Sequence, residues 1–87
     1  MPEREMEDYR AWRELALAVV VTAVEDYKAA IRAYKKNPCE RTRSRMDSEE
    51  NWFYSETCDM YLQERMTGLE IVRRIRKEMG LDAEDAE

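Results

Sequence analysis

Eighty-seven residues are enough for one domain and too few for two, and a chain this short buries only a thin core. Forty per cent of the residues are charged, the net charge is −5, and there is no histidine. The negative balance excludes general nucleic-acid binding, which needs a basic footprint, and the missing histidine excludes Ser-His and Cys-His nucleophile pairs.

The first predicted element is a helix over about residues 3–36. Tyr9, Trp12, Ala16, Val19, Val20, Ala23, Tyr27, Ala30, Ile31 and Tyr34 recur at steps of three and four. Leu17, Val21 and Val24 form a second row that widens the apolar arc in the middle. At ~1.5 Å per residue such a helix is roughly 50 Å long, more than the width of a globule of this size. One end is therefore expected to project or to be covered by a second copy. The charged start, MPEREMEDYR, has no apolar signal core, and the ten-residue run at 15–24 is too short for a membrane span. A cytoplasmic location is expected, with Cys39 and Cys58 as free thiols, small, half-buried and unreactive.

Asn37-Pro38 ends the first helix and opens a second, over about residues 38–54, with Asn37 as N-cap, Pro38 at N1 and Glu40 at N3. Its apolar residues are sparse: Cys39, Met46, Trp52 and Phe53. Ser55 caps a short third helix carrying Cys58, Tyr61, Leu62 and Met66. Thr67 to Glu70 is a capping-box pattern that starts a fourth, with Leu69, Val72, Ile75 and Met79 as its apolar face and Gly80 just past its end. No strand alternation or hairpin signal occurs. The expected fold is all-α: one helical domain over residues 1–81, a bundle of three or four helices dominated by the long first one, and an acidic tail at 82–87.

The stretch WRELALAVVVTAVEDY (residues 12–27), continuing into Lys28-Ala29-Ala30, and the later Trp52-Phe53-Tyr54-Ser55 resemble a group of small helical proteins of phages and prophages of Gram-positive and gut bacteria. Their pattern is a Trp, a Leu-Ala pair, a β-branched run, then Ala-Val-x-Asp-Tyr and a basic stretch, with an aromatic pair and Ser farther on. The match covers about half of the chain and loosens after Ser55. The resemblance transfers no site residue. It implies a setting, that of accessory phage genes, many of which counter bacterial defence.

Chemistry beyond binding finds no support in the residues. There is no Gly-rich phosphate loop and no zinc ligand set, so no catalytic residue, metal or cofactor is expected. Adjacent carboxylates such as Glu25-Asp26 and Glu49-Glu50 point about 100° apart on a helix and read as solvated surface.

The charge layout is more informative. Residues 28–45 hold seven basic side chains against Glu40 alone. Residues 46–70 hold seven acids (Asp47, Glu49, Glu50, Glu56, Asp59, Glu64, Glu70) against Arg65. Residues 71–79 turn basic again through Arg73, Arg74, Arg76 and Lys77. One reading is structural: acidic and basic helices pack together, and Lys35, Lys36, Arg76 and Lys77 sit favourably at helix C-termini. The other is a phosphate-binding corner of Lys28, Arg32, Lys35, Arg41, Arg43 and Arg45, with Trp52 and Tyr54 as stacking surfaces for a base.

The functional expectation is a non-catalytic, cytoplasmic phage-type binding protein, a homo-oligomer with a dimer as default, that sequesters a nucleotide immune signal. One alternative is an acidic protein that docks on a host defence effector through residues 47–70. Another is a structural helical phage protein.

Overall fold

The computed structural model describes residues 2–63 and 65–81, with side chains from Arg10 onward. Four α-helices follow one another: α1 (Pro2–Lys36), α2 (Glu40–Trp52), α3 (Glu56–Leu62) and α4 (Gly68–Glu78). No strand occurs among the described residues, and the fold is the expected all-α bundle with a dominant first helix. The Tyr9 side chain, Glu64 and the tail at 82–87 lie outside the described residues.

Each helix boundary has a local cause. The Asn37 amide bonds the Ala33 carbonyl at 3.0 Å, so Asn37 closes α1 instead of opening α2. The start of α2 therefore moves on to Cys39, which takes the N-cap with extended backbone. Thr42, not Glu40, holds the N3 place. Its hydroxyl accepts from the Cys39 amide at 3.1 Å and donates to the Asn37 carbonyl at 2.8 Å, which also ties the two helices together. Ser55 caps α3 as expected, accepting from the Cys58 amide at 3.3 Å. Gln63 ends α3 in the left-handed region (φ 52°), which leaves Met66 in the connection and not on the helix. Thr67 and Glu70 form the expected capping box, with bonds of 3.1 and 3.3 Å. At the far end of α4, Gly80 takes φ 73°, the Gly80 amide reaches the Lys77 carbonyl and the Leu81 amide reaches the Arg76 carbonyl at 2.8 Å. That is the glycine-terminated pattern by which a helix end satisfies its last carbonyls.

The core draws on all four helices: Tyr27, Ala30 and Ile31 from α1, Met46 from α2, Phe53 just after it, Cys58 and Leu62 from α3, and Ile71, Val72 and Ile75 from α4. Leu69 was expected inward and is 43% exposed. Gly68, Ile71, Val72 and Ile75 recur at steps of three and four, and Leu69 falls off that arc. Gly68 is required by contact: a Cβ there would lie 1.6 Å from the Phe53 carbonyl oxygen, so α4 starts against the backbone at the end of α2.

The molecule measures 54 × 28 × 19 Å, the long axis matching α1. The main core meets α1 only from Val20 onward. Farther toward its N-terminus α1 still packs on α3 by one flank, through buried Ala16 and Trp12 stacked on Tyr61, while Leu15 and Leu17 on its other flanks are 61% and 65% exposed. No helix among the described residues is long and apolar enough to cross a membrane.

Candidate functional site

The centre of the molecule is held by a polar hub. Tyr27 on α1 donates its hydroxyl to Glu50 Oε1 at 2.6 Å, and Arg76 on α4 reaches the same oxygen at 2.6 Å and the Tyr27 hydroxyl at 3.3 Å. Tyr54 donates to the other Glu50 oxygen at 3.3 Å. Glu50 is therefore a half-buried structural anion joining α1, α2 and α4, not the solvated carboxylate expected from its neighbour Glu49. Likewise Arg76 turns inward to Glu50, in addition to sitting in the last turn of α4. Burial, and then the hydrogen bond to the Glu50 carboxylate, pushes the Tyr27 phenol far above its ordinary range. The Tyr54 phenol is raised too, by burial and then by the negative charge and hydrogen bond of Glu50.

The basic corner is divided by the fold. Lys28 pairs with Glu78 at 2.6 Å, and Lys35 donates to the Met79 carbonyl at 2.6 Å, so both serve the C-terminal end of α4. Arg32, Arg41, Arg43 and Arg45 are exposed and make no ion pair or side-chain hydrogen bond among the described residues. On α2, Arg41 and Arg45 share one face by their spacing of four, whereas Arg43 falls on the opposite flank. Trp52 is half-buried and spoken for: it meets Phe53 edge-on at 5.3 Å and stacks on Tyr61 at 6.4 Å. Tyr54 is 47% exposed, and its hydroxyl points to Glu50. Among the described residues the arrangement thus offers four guanidinium groups without a side-chain partner around the α1–α2 turn, and Tyr54 as the substantially exposed ring.

A second feature was not expected from the sequence. Beside the N-terminal part of α1 lies an open groove of about 480 Å³, lined on one bank by Arg10, Trp12, Arg13, Glu14, Ala16, Leu17 and Val20. Tyr61, Leu62, Gln63, Arg65, Met66 and Ile71 form the other bank. Trp12 and Tyr61 stack across it at 6.1 Å. The unbroken apolar run at 15–21 was the available signal, since one flank of α1 cannot bury all of it. The partner bank combines the end of α3 (Tyr61, Leu62), the turn after it (Gln63, Arg65, Met66) and Ile71 of α4, and periodicity did not place the turn.

The thiols differ. Cys58 is buried, and burial raises its thiol; Cys39 is exposed, contrary to the expected half-burial, because capping α2 puts it at the turn. The Thr42 hydroxyl beside it lowers the Cys39 thiol. No grouping of three or more Cys, Asp or Glu side chains suited to a metal ion occurs among the described residues. No family model, curated protein or solved structure matches the chain.

Proposed function

We propose that this chain is a non-catalytic binding protein of the phage accessory kind, working in the host cytoplasm, that withholds a phosphate-bearing nucleotide signal from a bacterial defence system. The observation that supports it is the set of four exposed arginines, on either side of the Pro38 turn, that have no ion-pair or hydrogen-bond partner among the described residues. Guanidinium groups are planar forks that hold phosphate oxygens in pairs, and leaving them unpaired in a protein of net charge −5 favours a role outside the fold. Arg41 and Arg45, sharing one face of α2, would carry the phosphate contact. Exposed Tyr54 would offer the ring surface, with Lys28, Lys35 and Trp52 positioned by the fold more than by a ligand. The setting rests on the sequence resemblance alone.

Self-association belongs to the same proposal. Leu15, Leu17 and Val21 (46% exposed) lie on the N-terminal part of α1, where a second copy would remove them from water. A thermal-shift screen against cyclic dinucleotides, cyclic trinucleotides and ADP-ribose-type molecules, with a size-exclusion mass on the same sample, tests both statements. At a hundredfold excess over Kd a ligand adds about 2.7 kcal/mol, a rise on the order of 10 °C for a domain of this size. No shift with any member, together with a defence protein recovered on the purified chain, would transfer the function to the acidic docking alternative. That reading keeps Asp47, Glu56 and Asp59 as exposed acids but has lost Glu50 to the hub.

A further inference from the structure

One end of the bundle, where α1 stops, α2 starts and α4 stops, is rich in cations. Two of them hold the end of α4: Lys28 pairs with Glu78, and Lys35 donates to the Met79 carbonyl, both at 2.6 Å. Arg32 lies four residues after Lys28 and three before Lys35, so it shares their flank of α1. Arg43 lies seven residues, two turns, before Glu50, on the flank of α2 that meets Arg76 in the last turn of α4. Both arginines are exposed, and neither has an ion pair or side-chain hydrogen bond among the described residues.

The chain leaves α4 at this same end. Gly80 turns it in the left-handed region at φ 73°, with Lys35 Nζ 3.5 Å from where a Cβ would lie, and Leu81 packs back on the core. Residues 82–87, outside the described residues, follow with Asp82, Glu84, Asp85 and Glu87 and no cation. A segment of that length reaches about 20 Å when extended, twice the ~10 Å between packed helices. We propose that this acidic segment docks on Arg32 and Arg43 of its own chain and acts there as a built-in competitor for anions. Tethering gives its carboxylates an effective concentration in the millimolar range. Single exposed ion pairs are weak and screened by salt, so the docked segment is displaceable. The proposal goes beyond the nucleotide reading and divides the four arginines. Arg41 and Arg45, on the other face of α2, stay open, and they are the pair given the phosphate contact.

Cys39 supplies the position for a probe: it is exposed at the N-cap of α2, four residues before Arg43, while Cys58 is buried. A nitroxide on Cys39 should broaden the amide signals of residues 82–87 in the full chain at low salt. The signals should recover at about 1 M salt, where the screening length falls to roughly 3 Å. They should also recover in Arg32→Glu/Arg43→Glu, and stay broadened in Arg41→Glu/Arg45→Glu. Signals that the nitroxide leaves untouched at low salt would overturn the proposal, as would equal release by the two double reversals. So would equal broadening in a mixture with nitroxide and isotope on different copies, because the segment would then lie on a second chain. Calorimetry with inorganic tripolyphosphate reads the competition. Neutralising the segment (Asp82→Asn, Glu84→Gln, Asp85→Asn and Glu87→Gln together) should tighten binding by on the order of tenfold, in line with two exposed ion pairs. Unchanged affinity would overturn the competition. Neither readout uses a nucleotide, so the nucleotide reading and this one fail separately.

Discussion

Glu50 shows how far one side chain's neighbours outweigh its position in sequence. Its carboxylate accepts from Tyr27 and Arg76 at 2.6 Å each, two donors that no local pattern brings together because they lie 23 and 26 residues away. Glu50→Ala strands a buried hydroxyl and a half-buried guanidinium, and is expected to cost about 2–3 kcal/mol in urea unfolding. Glu50→Gln, which keeps an acceptor oxygen, should cost less. The same hub sets an alkaline limit. The Tyr27 phenol is raised in the fold, so the folded chain keeps a proton that the unfolded chain gives up near the ordinary tyrosine value of about 10. Its contribution to stability is complete below that pH and is lost as pH rises above it. Unfolding midpoints should therefore begin to fall above the ordinary thiol value of about 8.5, through buried Cys58, and fall more steeply beyond pH ~10, through Tyr27. Tyr27→Phe should flatten that fall, although Tyr54 and Cys58, also raised, retain part of it.

At the scale of elements, most of the fold was legible because most of it is capping and spacing. Ser55, Thr67 with Glu70, and Gly80 each end or start a helix through bonds to their own neighbours, and those are written within four residues of sequence. The α1–α2 turn was misplaced by two residues because Asn37 can cap either helix, and the Ala33 carbonyl claimed its amide. The inward face of α4 was misread at Leu69 because the deciding contact, Gly68 on the Phe53 carbonyl, is tertiary. Gly68→Ala places a methyl inside that carbonyl oxygen, and backbone cannot yield as a flexible side chain does. The expected cost is about 4 kcal/mol or more, the upper end for single substitutions, read as a loss of most of the cooperative thermal transition. Full stability in the Gly68→Ala chain would mean that α4 does not start against the end of α2.

The whole molecule is a bundle built along one long helix, whose described N-terminal part packs on α3 by one flank and leaves its other flanks exposed. Of the candidate site, the arginines were legible as a charge run, but their division between α4 and solvent was not, since Lys28 and Lys35 find partners some fifty and forty-four residues away. The groove was illegible for a similar reason: its second bank is assembled from α3, the turn after it and α4, which only the tertiary fold brings beside α1. The N-terminal part of α1 lets two substitutions separate core from assembly. Val20→Glu enters a position packed on the core and should unfold the chain. Val21→Glu enters an exposed position and should leave helicity intact while halving the light-scattering mass. A wild-type mass of one chain at micromolar concentration would remove the oligomer. The most direct test of the binding function is calorimetry of the wild-type chain and of Arg41→Glu/Arg45→Glu against the nucleotide-signal panel at low and physiological salt. The expected result is one member that binds, more weakly as salt rises because exposed charges are screened over roughly 8 Å at physiological ionic strength, and not at all to the double variant. Binding that survives the double reversal, or no binding by the wild-type chain to any member, would contradict it.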